Sequence, residues 1–448
     1  MNQSRAAHTS MGDSMNDSIW TKEVQLPEFP RLEGDLKTDV LIVGGGMAGL
    51  LLAHRLTKEG VDCTLIEADR ICHGVTRNTT AKITSQHGRV YAKLLKRFGA
   101  ERTREYWEAN QLALETLCEL AEGMDCDLER KDSYLFDHIT ARLEKEMAAL
   151  QTVGIPARFV DEVPLPFPVE GAIRFSDQAQ FHPLKFASGI AKGLSIYENT
   201  AAKEFIGRRV HTDRGWVTAK RIVIATHFPM INKHGSYYLK LYQQRSYVLA
   251  LEGAPKLEGM YLAAEENGLS LRSAGEQLLV GGGGHRTGKR GGGWETLEAF
   301  TRVWFPKARL VRRWATQDCM SLDGVPYIGA YSPNTPGVYV ATGFNKWGMT
   351  GAMVSAMILG DLVQGKQNRY ADVFSPQRSI LRPQLAVNAF ETTVNLLRPT
   401  APRCPHLGCA LKWNALERSW DCSCHGSRFD ETGKLLDNPA TGDLNNRR

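Results

Sequence analysis

The chain has 448 residues, of which 42% are hydrophobic and 23% charged. This length is too great for one simple core and predicts two or three domains of an ordinary soluble globular protein. The formal charge of +6 is spread over both signs without a block of five basic residues, so the sequence does not indicate nucleic acid as a partner.

The N-terminal region and the cysteines bear on the location of the protein. Residues 1–18 are polar and lack the apolar core of a secretory signal. No window approaches the roughly 18 consecutive apolar residues of a membrane span. The nine cysteines do not form a secreted disulfide scaffold. We therefore predict a cytoplasmic protein without a membrane span, in which residues 1–35 form a polar tail and arm.

The first predicted unit is a strand, a glycine turn, a helix and a second strand. Residues 39–43 form a short apolar run typical of a buried parallel strand, residues 50–56 are predicted as a helix, and residues 63–67 as the next strand.

The turn in this unit has the spacing Gly44-x-Gly46-x-x-Gly49. In a dinucleotide site the first glycine permits the turn, the second admits a pyrophosphate and the third lets the helix pack closely. The phosphate then lies at the positive end of the helix that begins near Met47. Glu67 ends the second strand, where a carboxylate accepts hydrogen bonds from a ribose. The context favours a dinucleotide site over a purely structural turn.

Further along the chain, helices are predicted at 106–120, 140–150, 349–362 and 386–398, and strands at 221–225, 247–251, 278–280 and 338–341. Pro399 and Pro402 then break the chain, and the composition changes to Cys, Trp, His and Gly. A domain boundary is therefore predicted near 385–402.

Four metal-ligand residue types occur in two short motifs near the C-terminus. Cys404-x-His406 and Cys422-x-x-His425 are separated by 15 residues. A Rieske [2Fe–2S] centre takes two thiolates on one iron and two imidazoles on the other. Zinc also binds Cys2His2 sets and is the competing interpretation, although it leaves a further cysteine pair unexplained.

Several segments resemble the D-amino-acid oxidase family of flavoproteins: residues 74–82, 221–226, 324–329, 338–344 and 348–351. The resemblance implies FAD rather than NAD. It also implies an α/β fold in which a Rossmann-like FAD-binding domain carries an inserted α+β substrate domain, at about 91–180 and 240–318. The FAD-binding residues that it implies are Gly44, Gly46, Met47, Ala48, Gly49, Glu67, Thr76, Thr79, Thr80, Lys82, Ala225, Thr226, Gly343, Phe344, Gly348, Met349 and Thr350.

The resemblance leaves the catalytic residues unassigned. Lys82, Gln86, His87 and Arg245 are candidates for the flavin face, and a solvated or structural role is the alternative for each. The family has a glycine where this chain has His227. Residues 317–320 resemble the segment through which monomeric sarcosine oxidases attach their flavin to a cysteine, so Cys319 is either a covalent flavin link or a buried thiol.

The C-terminal motifs resemble Rieske proteins of the pattern CTHLGC…CPCHGS. That resemblance implies a disulfide between Cys409 and Cys424, a hydrogen bond from Ser427 to a cluster sulfide, and a lowered potential because Phe429 replaces a tyrosine. It also implies a small all-β domain at 403–448. Only about twenty residues, predicted as a helix, stand where several strands normally precede the first ligand loop. We therefore expect a shortened domain that holds its cluster less firmly than longer relatives do.

The two motifs together resemble bacterial FAD-dependent oxidoreductases with a C-terminal Rieske domain. The resemblance implies three parts: 36–385, a linker helix at 386–402, and 403–448. It also implies oxidation of a small amine or amino-acid-like donor, with electrons passing between FAD and the cluster. The partners are then a small-molecule reductant and an unidentified electron acceptor. One alternative has the cluster feeding electrons to the flavin; another is a redox carrier or sensor that binds both cofactors without metabolite turnover.

Overall fold

The computed structural model describes residues 15–22, 24–231, 233–399 and 402–444. Its strands are β1 (Leu36–Val43), β2 (Cys63–Ile66), β3 (Lys82–Ile83), β4 (Glu129–Phe136), β5 (Arg158–Val160), β6 (Ala172–Gln180), β7 (Ile196–Tyr197), β8 (Ala202–Ile206), β9 (Arg209–Thr212), β10 (Gly215–Ile224), β11 (Leu241–Glu252), β12 (Met260–Ala263), β13 (Ser270–Ala274), β14 (Gln277–Arg286), β15 (Arg309–Ser321), β16 (Tyr327–Ala330), β17 (Val338–Thr342), β18 (Leu411–Asn414), β19 (Ser419–Cys422), β20 (Arg428–Asp430) and β21 (Leu435–Asp437). Its α-helices are α1 (Met47–Lys58), α2 (Tyr91–Ala121), α3 (Thr140–Val153), α4 (Pro183–Ile190), α5 (Tyr237–Lys240), α6 (Gly293–Trp304), α7 (Gly348–Val363), α8 (Ala371–Phe374) and α9 (Pro383–Leu397).

The first sheet has the order β16-β17-β10-β1-β2-β7, and the β8–β9 hairpin extends it beside β10. β1 pairs in parallel with β10 and β2, and β10 pairs in parallel with β17. Leu41 and Ile42 of β1 are fully buried, as expected for a parallel strand with both faces covered. Since Val43 aligns with Ile224, and Ile224 with Val340, the loops after these three strands emerge at one edge of the sheet.

The second sheet is mixed and has the order β15-β11-β14-β13-β12-β4-β6-β3, with β5 beside β6. Its longest pairings, β11 with β14 and with β15, are antiparallel, whereas β12 pairs with β4 in parallel. The sheet therefore combines strands from two separate stretches of sequence, and α6 packs on β11 and β14.

The C-terminal residues form a small antiparallel sheet in the order β18-β19-β20-β21. Helix α9 precedes it and begins three residues before the predicted start at 386. The two cluster motifs lie in the loop before β18 and in the loop between β19 and β20. Among the described residues, no helix is long and apolar enough to cross a membrane.

Candidate functional site

The loop after β1 brings backbone atoms closer together than a side chain would allow. Gly44 has a φ of 115°, and a Cβ atom there would lie 2.5 Å from the carbonyl oxygen of Ala225. A Cβ atom on Gly49 would lie 2.0 Å from the carbonyl oxygen of Gly44. Gly46 caps α1, and no atom lies within 3.5 Å of its Cβ position. The N-terminus of α1 is therefore open to an anionic ligand.

Two polar side chains hold this turn in place. Glu67, directly after β2, accepts hydrogen bonds from the backbone N–H groups of Gly45 at 2.6 Å and Asp69 at 3.0 Å. Burial raises the pKa of this carboxyl, and these hydrogen bonds oppose the shift. Thr76 Oγ1 accepts a hydrogen bond from the N–H of Met47 at 3.1 Å, which fixes the segment after β2 against the start of α1.

A cavity of about 1560 Å³ opens in front of this turn, between the first and second sheets. Most residues predicted to bind the cofactor line it: Gly44, Gly46, Met47, Ala48, Glu67, Thr76, Thr79, Thr80, Lys82, Ala225, Thr226, Phe344, Gly348 and Met349. Gly49, Gly343 and Thr350 do not line it. Thr350 is buried in α7, where its hydroxyl donates a hydrogen bond to the carbonyl oxygen of Thr84 at 3.3 Å.

The structure separates the four candidates for the flavin face. Lys82 and His87 line the cavity, whereas Gln86 and Arg245 do not. Lys82 Nζ donates to the carbonyl oxygen of Tyr261 at 2.9 Å, and burial lowers its pKa to about 7. Burial lowers the pKa of His87 to about 3, so this imidazole is neutral at physiological pH.

The two C-terminal loops that carry the predicted cluster ligands have matching backbone geometry. In each loop the N–H four residues after the ligand cysteine donates to that cysteine's carbonyl oxygen at 2.9 Å, from Gly408 to Cys404 and from Gly426 to Cys422. A hydrogen bond with Cys422, together with burial, raises the pKa of the Cys404 thiol, and the same bond lowers the pKa of Cys422. The two thiols therefore lie side by side.

The imidazole rings of the two histidines in these loops make an edge-to-face contact. The rings of His406 and His425 have centroids 4.9 Å apart and are nearly perpendicular, at 89°. Both ring nitrogens of His425 are buried, and neither has a well-placed hydrogen-bond partner in the described part of the chain. Buried polar atoms without partners are costly unless they bind a ligand. Two adjacent thiols and two adjacent imidazoles fit the donor set of a Rieske centre.

The predicted disulfide between Cys409 and Cys424 is absent from the structure. All nine cysteines are free thiols, and the sulfur atoms of Cys409, Cys422 and Cys424 lie within 4.8 Å of one another. The two cysteines predicted to pair therefore lie close together, but the structure does not support a disulfide between them.

Two family models match the chain: FAD dependent oxidoreductase over residues 39–362, and Rieske [2Fe-2S] domain over residues 377–447. The chain belongs to the FAD-dependent oxidoreductase family. Its cofactors are FAD and a [2Fe–2S] cluster, and the Rieske match decides against zinc at the four-ligand site.

Relatives of this oxidoreductase share one or both parts. The protein YhfW of Bacillus subtilis, whose name describes a Rieske 2Fe-2S iron-sulfur protein, is 34% identical over 490 positions that cover 95% of this chain and 96% of that protein. The alignment is longer than this chain, so the relative contains segments that are absent here. The gamma-glutamylputrescine oxidoreductase of Escherichia coli is 23% identical over 78% of this chain and 88% of its own length. Glycine oxidase from Geobacillus kaustophilus superposes with a TM-score of 0.66 at 21% identity, over 77% of this chain and all of that one.

Several charged or titratable residues of the oxidoreductase line the cavity without having been predicted to do so, and three of them interact electrostatically through Asp318. Asp318, Lys346 and His227 come from β15, from the loop before α7 and from the loop after β10. Burial raises the pKa of Asp318 and lowers that of Lys346, and their mutual attraction opposes both shifts. His227 and Lys346 have positive φ angles, of 65° and 74°, which the sequence pattern does not reveal for residues other than glycine.

Cys319 lies next to Asp318 and lines the same cavity. Its thiol is buried and lies 3.6 Å from Thr342 Oγ1. Burial raises the pKa of this thiol to about 12. A thiol that stays protonated is a poor nucleophile, so the environment favours a noncovalent flavin.

The flavin part of the oxidoreductase contacts both sides of the second cluster loop. Gln243 Nε2 donates to the carbonyl oxygens of His425 and Asn438, at 2.9 Å each. Gln317 Nε2 donates to the carbonyl oxygen of Gly426 at 2.8 Å. Arg286 donates to the carbonyl oxygen of Cys424 at 3.0 Å. The second cluster loop is therefore positioned by side chains of β11, β14 and β15, of which Gln243 and Gln317 are buried.

Arg245, predicted as a candidate for the flavin face, belongs to this interface instead. Its guanidinium pairs with Glu417, which also accepts hydrogen bonds from Arg428 at 2.9 Å and Tyr247 at 3.0 Å. Burial alone would raise the pKa of Glu417, but Arg245 and Arg428 outweigh it and hold that pKa at about 2. The ion pair, with both side chains buried, ties β11 to the turn between β18 and β19.

The cluster side and the cavity side of the interface lie close together. Residues 434–441, which follow the cluster loops, line the flavin cavity. Asn438 Nδ2 donates to the carbonyl oxygen of Thr226, and the ring of Phe228 lies 6.1 Å from that of His406 and 6.2 Å from that of His425. Three consecutive residues, 226–228, therefore connect the cavity wall to the imidazole ligands.

Proposed function

We propose that this oxidoreductase oxidises a small amine or amino-acid-like donor at FAD and passes the electrons on through its Rieske cluster. The observation that carries the proposal is the shared wall: residues of the FAD fingerprint and residues 434–441 beside the cluster line one cavity. Bound FAD accepts a hydride and releases electrons one at a time, as a one-electron cluster requires. The chain supplies binding, orientation and exclusion of water.

The proposed ligands divide between the two cofactors. FAD is held by the glycine turn, Glu67 and the segments that contain Thr76, Ala225 and Phe344, with its pyrophosphate at the N-terminus of α1. The cluster is held by Cys404 and Cys422 on one iron and by His406 and His425 on the other. We keep the three parts predicted from the sequence, 36–385, 386–402 and 403–448, and a cytoplasmic location, as parts of this proposal.

The donor class is proposed from the charges in the cavity wall. Asp318 supplies a carboxylate for an ammonium group, and Lys346 supplies an ammonium for a carboxylate or another anionic end. Asp318 and Lys346 attract each other, so a zwitterionic ligand would replace this one attraction with two, one to each of its charged ends. Lys82, with a pKa of about 7, is the candidate for taking a proton from the donor's ammonium group.

The size of the cavity favours an enzyme over a carrier or sensor. Single ligands occupy pockets of roughly 300–1,000 Å³. A cavity of about 1560 Å³ therefore has room for a cofactor and a small second molecule. A carrier that binds FAD alone has no need of that further volume or of the charged groups in its wall.

The experiment is anaerobic mixing of the holoenzyme with a panel of primary and secondary amines and amino acids. We expect one class to bleach the flavin absorbance, followed by the electron paramagnetic resonance signal of a reduced Rieske cluster. Asp318→Asn should slow the bleaching at least tenfold, whereas Asp125→Asn, at a carboxylate that is 95% exposed, should not. If no donor bleaches the flavin but chemical reduction of the cluster leads to flavin reduction, electrons flow from the cluster to FAD. If neither does, the protein is a carrier or sensor.

A further inference from the structure

Helix α9 turns its apolar face to solvent. Val387, Phe390, Val394 and Leu397 follow the 3–4 spacing of one helix face, and the side chains of Phe390 and Leu397 are 67% and 77% exposed. A surface helix normally buries such a stripe against the core. Contiguous exposed apolar surface of this kind marks an interaction site.

The opposite, polar face of α9 is the one that is buried, and specific hydrogen bonds fix it there. Asn388 Oδ1 accepts from Arg286 at 2.9 Å, and its Nδ2 donates to the carbonyl oxygen of Leu239 at 3.2 Å. The carbonyl oxygen of Asn395 accepts from the N–H of Ala410 at 3.0 Å. Rolling the helix to bury its apolar stripe would break these bonds, so its orientation is stable.

The exposed stripe is continuous with the edge of the cluster site. Arg403 donates to the carbonyl oxygens of Leu396, at the end of α9, and Gly408, in the first cluster loop, at 3.1 Å each. Leu407, which directly follows the ligand His406, is 37% exposed. We call the exposed side chains of α9 together with Leu407 the α9 surface. A molecule bound there would lie beside a ligand of the cluster.

The sequence that contains the α9 surface is predominantly basic. Between residues 381 and 413 the sequence holds four basic residues, Arg382, Arg398, Arg403 and Lys412, and one acid, Glu391. Glu391 is paired with Lys289 and so does not offset the others. This basic rim disfavours a second copy of the chain, because its own arginines would face each other across a symmetric interface.

We propose that the α9 surface docks an acidic one-electron carrier protein, which takes electrons from the cluster at His406. The proposal rests on the proposed function only in that electrons leave through the cluster. The apolar stripe supplies the buried centre of such an interface and the arginines its charged rim. One electron moves per encounter: the cluster is oxidised, the carrier is reduced, and no bond is made or broken.

The experiment uses the full holoenzyme reduced with dithionite and freed of excess reductant, so it does not depend on the amine donor. The probes are plastocyanin, an acidic blue-copper protein, and mitochondrial cytochrome c, a basic carrier of similar size. Stopped-flow spectroscopy follows their reduction, and calorimetry measures binding of the already reduced carriers. We expect faster reduction and tighter binding for plastocyanin, with both declining as the Debye length falls from about 30 Å at 0.01 M salt to about 8 Å at 0.15 M.

The matched variants exchange exposed apolar residues for polar ones of similar propensity. Phe390→Gln with Leu397→Gln should lower the plastocyanin rate constant at least fivefold and leave the cluster spectrum unchanged. Ile206→Thr, at a residue 54% exposed on β8, is the control and should change neither. Arg398→Glu should also lower the plastocyanin rate constant and make it less dependent on salt concentration.

Three results would overturn the proposal. The first is equal rates and affinities for the acidic and basic carriers, or no effect of the double variant. The second is binding of the protein to vesicles of anionic phospholipid that the double variant abolishes, which would make the α9 surface a membrane-binding helix. The third is a dimer in sedimentation that becomes a monomer in the double variant, which would assign the surface to a second copy.

Discussion

The contact between Gln243 and the second cluster loop allows a quantitative test of how the cluster is held. Gln243 is buried, and its amide nitrogen donates to the carbonyl oxygens of His425 and Asn438 while its amide oxygen accepts from Gln317 at 2.8 Å. Gln243→Met keeps the length and the unbranched shape of the side chain and removes all three hydrogen bonds. Methionine also adapts to the close approach of Gly426.

The cost follows from the groups that lose their partners. The buried carbonyl oxygen of His425 and the partly buried one of Asn438 lose their donor from Gln243. A buried acceptor or donor left unsatisfied costs about 1–3 kcal/mol. Gln317 keeps its second acceptor, the carbonyl oxygen of Gly426, so its own loss is smaller. We therefore expect the variant to lose about 2–5 kcal/mol from the free energy that holds the loop to the flavin part. That is a large fraction of the roughly 5–15 kcal/mol that stabilises a typical domain.

The assay is the rate at which a ferric-iron chelator removes iron from the oxidised holoenzyme, with FAD content and the spectrum of the reduced cluster as parallel readouts. We expect faster iron loss from Gln243→Met with FAD retained. Gln277→Met is the matched control, since its amide makes a single long hydrogen bond of 3.5 Å to Glu252. Iron loss at the wild-type rate, with an unchanged spectrum, would show that Gln243 does not position the loop.

Four further predictions concern pH, FAD, the flavin linkage and the iron content. The pKa of Glu417 is lowered to about 2 in the folded state, so its ion pairs contribute fully to stability above the unfolded pKa of about 4.3 and lose that contribution as the pH falls toward 2. Iron loss should therefore accelerate between these two pH values. The acceleration should be smaller in Glu417→Gln, which already loses iron faster at neutral pH. Gly49→Ala should abolish FAD binding, measured by flavin released on denaturation, because its Cβ meets the carbonyl oxygen of Gly44, whereas Gly442→Ala meets no atom within 4 Å and should retain FAD. Acid precipitation should leave all flavin in the supernatant, because the protonated, buried thiol of Cys319 does not form the covalent link. Flavin that precipitates with the wild-type protein but not with Cys319→Ser would contradict this. Iron and sulfide analysis tests the expectation that the shortened Rieske region holds less than two irons per chain.

Short-range backbone requirements were predictable. A Cβ atom on Gly44 or Gly49 would lie 2.5 Å or 2.0 Å from a carbonyl oxygen, so both positions require glycine, and such requirements appear directly as sequence spacing. The helix predicted at 349–362 is α7, Gly348–Val363, since a long apolar run after a glycine has few alternatives. The cluster motifs were equally predictable from the sequence, because each loop needs its cysteine and histidine at a fixed separation.

Contacts between distant segments were not predictable in the same way. Arg245 was a candidate for the flavin face, but its partner is Glu417, 172 residues further along the chain. Asp318 and Lys346 meet in the cavity wall because β15 and the loop before α7 adjoin there, and no local pattern distinguishes them from solvated charges. The left-handed backbone at Asn345 and Lys346 distinguishes this loop in the structure, but the sequence gives no sign of it.

In helix α9, the sequence determines that a helix forms, and tertiary contacts determine which of its faces is buried. The spacing of Val387, Phe390 and Val394 determined that a helix forms, because residues three and four apart share one face. Which face is buried depended on Asn388 and Asn395, whose hydrogen bonds reach β14, the end of α5 and the loop before β18. The sequence by itself determined the cofactor loops and the helical periodicity, since both arise from neighbours along the chain. The tertiary structure alone decided which charges line the cavity and which face of α9 meets solvent, because those outcomes depend on contacts between segments that are not neighbours along the chain, such as Asn388 and Arg286, 102 residues apart.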